Sequence, residues 1–499
     1  MDPDIPRQNE LEAPDILDRS RHRISRRDID PDCLKVLYRL NAHGFVSYLV
    51  GGAVRDLMLG RRPADFDVGT NAHPNQIKKL FRNAFLIGRR FRLAHVRFQG
   101  GKIIEVSTFR RKPDEEELAA EREEAAERAR DEALAADAPQ MGSNLPFTAK
   151  GRFDPILSEP DAPVEPAAEG VLPATPGGPP EPAAAPAPGS PAPPRRGRPP
   201  LKPIAYGTPR EDAFRRDLTI NALFYDIATY SVIDYVGGLA DLEARRVRII
   251  GDPDASYTED PVRIWRVLRH SSRLGFSVED KTAEAIARHS HRLSACPGSR
   301  LFEELNKDMK SGSARPFFQS ARVHGVLPHI LGGFGEFYQA SDDRFERLTF
   351  LLGALDASIS SGGSPPPEVM YGLLLWPWAE PLLAGAEGDK PRVLYDAFRA
   401  CGSATQVPKT LLLEAVHTLV IVEHMVQALV DGKMRWALKE RPHYAEASRI
   451  ASLLVEGTFG DCDDPFSVIY QRRFGARPRS RPHRYRRRKK SVPPQAPPA

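Results

Sequence analysis

Two aspartates one residue apart, Asp65 and Asp67 in ADFDV, follow an adjacent glycine pair, Gly51 and Gly52, in YLVGGAVRDL. Side chains at i and i+2 of a strand share a face. ADFDV, read as a strand, therefore sets two carboxylates side by side with Phe66 turned into the core. Carboxylates that close repel unless a cation lies between them, and a hard, oxygen-seeking ion such as Mg²⁺ can bridge them to phosphates. Glycines at a strand-to-helix turn let backbone N–H groups approach a triphosphate with no Cβ in the way. A glycine pair is also a common turn, and Asp-x-Asp is also a solvated strand edge. Their conjunction is far more specific than either alone.

The elements that must position these residues read as a small α/β unit. CLKVLYRLNAHGF has helical spacing and stops at Gly44, VSYLVGG is a β-prone run, and AVRDLML is a helix directly after it. ADFDV is the second strand and NQIKKLFRNAF a helix. FRLAHVRF and KIIEVSTF are two more strands joined by QGG as a hairpin turn. The composition then changes. Residues 113–137 are Glu, Ala and Arg, a solvated helix by pattern, and about a third of residues 160–203 are proline, which cannot form a packed core. Residues 112–205 are read as an unstructured insertion. Its RRGRPP resembles an AT-hook, a match that a Pro/Arg tract yields cheaply. Order resumes at EDAFRRDLTINALFYD, followed by VIDYV, the turn GGLADL and RVRIIG, strands expected to complete the sheet begun before the insertion. From Asp260 to about residue 470 the pattern is helical, as in PVRIWRVLRHSSRL and SRLFEELNKDMKSG.

A chain of 499 residues with 41% apolar content can bury two or three cores. The four cysteines, Cys33, Cys296, Cys401 and Cys462, have no paired spacing, so neither a disulfide framework nor a structural zinc site is indicated. The acidic, polar start lacks the features of a secretory signal, and a reducing, cytoplasmic setting is expected. TLLLEAVHTLVIVEHMVQALV is broken by Glu414, His417, Glu423 and His424 and reads as a buried helix rather than a membrane span. His417 and His424 do not form HExxH and read as ordinary helix residues. The net charge of +5 is 71 Lys and Arg against 66 Asp and Glu. Eleven of those bases lie in residues 472–490, which have no acid, so the rest carries 60 against 66, a net of −6. Such a tail, including Arg486, Arg487 and Arg488, suits a polyanion partner, with a solvated solubility tail as the plainer alternative.

The glycine pair followed by alternating apolar residues and aspartates resembles the signature of the polymerase-β-type nucleotidyltransferase superfamily. GGAVRDLMLGRRPADFDVGT, RRDLTINALFYD and EDPVRIWRVLR, in that order, resemble the motifs of class II tRNA nucleotidyltransferases and bacterial poly(A) polymerases. The resemblance covers residues 24 to about 315 outside the insertion. It implies an α/β nucleotidyltransferase head, a mixed sheet with helices, followed by an all-α neck, body and tail. The corresponding bounds are a disordered leader at 1–23, a head at 24–245 interrupted by 112–205, a base-reading neck at 246–315, an RNA-binding helical body at 316–470 and a disordered basic tail at 471–499. It implies a third catalytic carboxylate, for which Glu105 is the candidate and a structural salt bridge the rival role. It also places Arg216, Asp217 and Asn221 near ribose and metal, although the last two could simply cap a turn. Arg55 and Arg266 are carried over as nucleotide-binding residues.

In EDPVR, Asp260 looks like a helix N-cap followed by proline, and Arg263 lies three residues on, on the same helical face. An acceptor beside a forked donor can read a base edge, and the resemblance assigns Asp260 to the amino group and Arg263 to the ring nitrogen. Adenine and cytosine present the same pattern, so this pair does not separate ATP from CTP. LIGRRFRLAHVRF, ISRRDI and the basic tail resemble bacterial poly(A) polymerases, and Arg89, Arg90, Arg92 and His95 would make one cleft rim basic for an RNA backbone. The implied activity is template-independent transfer of AMP from ATP to RNA 3′ ends with two Mg²⁺ ions. The alternatives are CCA addition to tRNA and, from another class, an inactive RNA-binding scaffold. The implied partners are RNA and ATP, with RNA-decay proteins reached through the insertion or tail. No His-Asp dipeptide of a metal phosphohydrolase is present.

Overall fold

Eight short strands share one mixed sheet in the order β1-β8-β7-β2-β3-β6-β5-β4 in the computed structural model. It describes residues 13–88, 92–111, 205–402, 405–460 and 462–475. The strands are β1 Asp15–Leu17, β2 Ser47–Val50, β3 Asp67–Thr70, β4 Ala84–Ile87, β5 Leu93–Arg97, β6 Ile103–Thr108, β7 Leu223–Asp226 and β8 Ser231–Asp234. β3 and β6 pair in parallel and the other neighbours are antiparallel. β7 and β8 follow the insertion in sequence and lie between β1 and β2 in the sheet. The readings placed on 112–204, on Arg89 and Arg90, and on the tail with Arg486, Arg487 and Arg488 lie outside the described residues.

The two sheet faces have different tasks. Leu49, Val68 and Val106, paired across β2, β3 and β6, belong to the main core, together with Val36, Leu37 and Leu40 from the helix Pro31–Ala42. Val50 and Phe224, one residue out of step, pack with Phe109, Ala213, Ala222 and Ile233 in a smaller cluster. The register pairs Val50 with Asp67 and Asp67 with Glu105. The smaller cluster is thus the apolar floor on the face that carries the acids. Each large side chain buried there contributes about 1.5–3 kcal/mol.

Four expectations differ. The leader, read as disordered through residue 23, supplies β1, because Asp15–Leu17 finds a ladder partner in the open edge of β8. β3 begins at Asp67, so Asp65 stands in the loop before it rather than on a strand. The reason is pairing: β2 ends at Val50, opposite Asp67, and the chain then turns at Gly51, leaving Asp65 and Phe66 without a ladder partner. The helix in NQIKKLFRNAF is confined to Pro74–Leu80, because Ala84 and Phe85 pair with Val96 and His95 instead. RVRIIG does not complete the sheet. Arg246–Val247 pairs only with Ser277–Val278 in a separate two-stranded sheet.

Helices follow from Pro253 onward. The apolar segment near residue 420 is the helix Lys409–Asp431, long and apolar enough to cross a membrane, with 56% of its most apolar window buried against the protein. The helix Val262–Leu274 is fixed to Gly298–Met309 by a buried ionic cluster. Arg269 Nε and Nη2 donate to Asp308 at 2.7 and 2.9 Å, Trp265 Nε1 donates to the same carboxylate at 2.6 Å, and Glu304 takes Arg269 Nη1. Breaking a buried pair leaves an uncompensated charge, so Asp308→Ala is expected to destabilise the fold by about 3–5 kcal/mol. The shift of the urea unfolding midpoint checks this, and a loss below about 1 kcal/mol would show the pair to be expendable.

Candidate active site

Parallel pairing of β3 with β6 sets Asp67 directly beside Glu105. Successive residues alternate faces, so the inward Val68 and Val106 oblige both carboxylates to point the other way. Loss of hydration, then Glu105, and more weakly Asp65, push the Asp67 carboxyl up to about 6, with Arg216 pulling against them. Asp65 is exposed, and among the described residues neither it nor Asp67 accepts a hydrogen bond or forms an ion pair. Glu105 keeps one contact, 3.3 Å from His95 Nε2 on β5. Among the described residues no three such side chains close around one metal position. An open pair of aspartates still suits Mg²⁺, which is held by one or two carboxylates and completed by phosphates and water.

The glycine turn abuts this face. Gly51 has φ +75°, a conformation that L side chains rarely adopt, and begins the helix Gly52–Met58. A Cβ on Gly51 would lie 3.2 Å from Arg216 Nη1, so glycine also makes room for that guanidinium. Arg216 lies over the Phe224 ring at 5.4 Å, and its Nε and Nη2 donate to Asp212 at 3.1 and 2.9 Å. Asp212 is buried in the helix Pro209–Phe214, which starts with a Thr208/Glu211 capping box, and it also accepts from Arg215 and from the Arg110 backbone N–H.

A second polar group joins this turn to the helix Val262–Leu274. Arg55 Nη1 donates to Asn221 Oδ1 at 2.5 Å and lies 3.3 Å from His270 Nδ1, while Asn221 Nδ2 lies 3.2 Å from His270 Nε2. Arg266 Nε lies 2.9 Å from Asp217. Burial raises the Asp217 carboxyl, but the Arg266 guanidinium, helped by the Leu218 backbone N–H, outweighs it and holds it below the usual carboxylate range. Burial and then Arg55 push His270 down to about 3, so the ring is neutral. Arg61 donates to the carbonyls of Arg273 and Leu274, a cation where the helix C-terminus favours one.

Asp260 and Arg263 both line a cleft of about 790 Å³ with Glu259, His291, Cys296 and Arg300. They do not share a helical face. Asp260 is extended, with φ −144° and ψ 94°, in the break between two helices. One of its oxygens accepts from the Val262 N–H at 3.2 Å, as the capping role requires, and the other from Arg300 at 2.7 Å. Arg263 donates to Ser256 and Glu259 at 2.8 and 3.0 Å.

Gly51, Gly52, Asp65, Asp67, Glu105 and Arg216 thus come together at the sheet. Arg55, Asp217, Asn221 and Arg266 form the layer behind, and Asp260 and Arg263 line the cleft beyond it. Arg92 is exposed at the start of β5, and His95 faces Glu105 rather than an open rim. Sequence reasoning missed Asp212, Arg300 and His270. The first and last carried a usable signal: Asp212 is one helical turn before Arg216, and His270 one turn after Arg266.

A family profile described as Poly A polymerase head domain matches residues 47–140 and 191–248, and a second, described as Probable RNA and SrmB- binding site of polymerase A, matches 275–336. Poly(A) polymerase I of Salmonella typhimurium is 33% identical over 458 residues, covering 88% of this chain and 82% of that protein. The chain belongs to the poly(A) polymerase family. A CCA-adding enzyme of Bacillus pumilus is similar over less, at 27% identity across 56% of this chain and 49% of that protein. In fold, the chain resembles the Bacillus stearothermophilus CCA-adding enzyme in complex with CTP, with a TM-score of 0.54, 19% identity and coverage of 89% of this chain and 83% of that one. As a family member the protein is a nucleotidyltransferase. Asp212 holds Arg216 by two bonds, and misplacing such a group by about 1 Å can cost on the order of 100-fold. Asp212→Ala is expected to lower nucleotide incorporation by about that factor at saturating nucleotide; a rate within about threefold of wild type would show that Arg216 needs no such support.

Proposed function

We infer that this polymerase adds AMP from ATP to RNA 3′ ends without a template, releasing pyrophosphate, in the cytoplasm. The observation that carries the reading is one pair of aspartates, free of any cationic partner among the described residues, beside a positive-φ glycine turn and Arg216. The Gly51–Gly52 turn receives the triphosphate, with Arg216 adding positive charge at its edge. Asp65 and Asp67, with Glu105 alongside, would hold Mg²⁺. When bound there, Mg²⁺ neutralises charge across the reacting phosphates and favours ionisation of the attacking hydroxyl. Asn221 and Asp217 orient the ribose side of the nucleotide. Asp260 accepts from the adenine amino group and Arg263 donates to a ring nitrogen, exchanging their present partners Arg300 and Glu259 for the base.

The choice of ATP follows from the extent of likeness to poly(A) polymerase I against that to the CCA-adding enzyme. CCA addition is the second reading, favoured by the fold match to such an enzyme and by the edge that cytosine shares with adenine. RNA as the acceptor agrees with the profile matched by residues 275–336. The basic run 472–490 would lengthen RNA residence in a salt-sensitive way, and it or the insertion is where RNA-decay proteins would dock.

Purified protein given a short unstructured RNA and each NTP alone is expected to make long tails with ATP only. CTP incorporation on tRNA lacking its 3′ end, stopping after a few additions, would establish the second reading instead. Asp67→Ala is expected to lower tailing by about 10³-fold, since metal assistance is worth several kcal/mol, while RNA binding by gel shift stays unchanged. Tailing that survives Asp67→Ala would remove the metal assignment.

A further inference from the structure

We propose that His270 is a positioning residue. It fixes the Asn221 amide and thereby ties the base-reading helix to the phosphate-reading turn. This rests on the nucleotidyl-transfer reading above and adds a residue that none of the chain's motifs singles out. The Asn221 amide has two orientations that exchange its oxygen and nitrogen. Arg55 Nη1, 2.5 Å from Oδ1, and His270 Nε2, 3.2 Å from Nδ2, select the same one. Arg55 belongs to the helix that starts at the glycine pair, and His270 to the helix that carries Arg263. Asn221 lies between them, in the turn that begins with Arg216 and Asp217 and leads into β7.

A neutral ring with its proton on Nδ1 accepts from the amide at Nε2, and Arg55 Nη1, 3.3 Å from Nδ1, then bonds to Asn221 Oδ1 and not to the ring. A cationic ring would set an N–H against the amide N–H₂ and add charge between Arg55 and Arg266. Burial, and then the neighbouring cations led by Arg55, keep the ring neutral. Arg266 on Asp217, one helical turn earlier, makes a parallel tie, but it is far more exposed and reaches a different residue. Arg55, which can only donate, settles where the Asn221 oxygen points, and the His270 contact holds the nitrogen end of the same amide. Base and triphosphate are read on separate segments, and this clamp sets their relative position.

The test uses the full chain with His270→Phe, His270→Gln, Asn221→Ala and the double variant Asn221→Ala/His270→Phe. Wild-type incorporation with each NTP alone is read first, so a wrong nucleotide assignment is seen there, and the variants are then compared with whichever nucleotide is transferred. His270→Phe is expected to lower kcat by about tenfold or more while KM for the nucleotide stays within about threefold. His270→Gln, whose amide oxygen can accept from Asn221, is expected to recover most of that loss. In the Asn221→Ala background His270→Phe is expected to add no further loss. Wild-type kcat in His270→Phe, no rescue by glutamine, or losses that add fully with Asn221→Ala would each overturn the proposal. Thermal melts accompany every variant; if the phenylalanine variant does not fold, the glutamine variant in the wild-type and Asn221→Ala backgrounds carries the comparison.

Discussion

Like charges on adjacent parallel strands are the constraint on which the rest depends. Asp67 and Glu105 are fixed opposite one another by the backbone ladder, so neither can retreat without breaking the register. Their repulsion, with burial, shows in the raised carboxyl of Asp67. A protein tolerates such an arrangement when something positive is to be received there, because a carboxylate pair already neutralised by lysine or arginine would have no capacity left for a metal ion. Arg216 approaches without closing the site, since its fork is held by Asp212 on the far side. The apolar floor of Val50, Phe109 and Phe224 lowers the local dielectric and makes these charges felt more strongly.

The helix Val262–Leu274 connects this site to the cleft lined by Asp260 and Arg263, and its arginines divide by spacing. Arg263 faces the cleft, while Arg266 and His270, three and seven residues later, reach back to Asp217 and Asn221. Arg269 and Arg273 turn to the other side and meet Asp308, which keeps the helix seated on Gly298–Met309. One amphipathic element thus carries the proposed recognition and alignment groups and its own anchor on different faces. Moving it would disturb all three together, so its seat is ionic, buried and held by several bonds.

Most of the sheet was legible because period-two alternation and glycine turns act locally. β2, β5, β6 and the helix after Gly51 are where VSYLVGG, FRLAHVRF, KIIEVSTF and AVRDLML predict them. Where the reading failed, a distant partner decided. Asp65 lost its strand because β2 had ended, β4 displaced the end of a helix because β5 offered a ladder, and RVRIIG paired with Ser277–Val278 because the main sheet was already bounded by β1. The candidate site residues were chosen through motif order rather than through contact. Nothing local in EDPVR says that Asp260 rests on Arg300, a residue forty positions away by sequence.

That break between helices explains how Asp260 can serve as a cap and still fill the reading role proposed for it. A carboxylate inside a helix would point along a surface fixed by the helical period, whereas an extended residue before a proline projects from the turn itself. Capping the Val262 N–H uses one oxygen of Asp260 and leaves the other directed into the cleft, where Arg300 now occupies it. Arg300 is half exposed, so it can yield that oxygen to an amino group at modest cost, since surface ion pairs are worth only about 0–1 kcal/mol. Arg263 stands in the same relation to Glu259, whose side chain is 60% exposed. Both proposed base-reading groups are therefore kept oriented by weak, replaceable partners, while Asp308, which seats the helix that carries Arg263, is held by the buried Arg269 and Trp265.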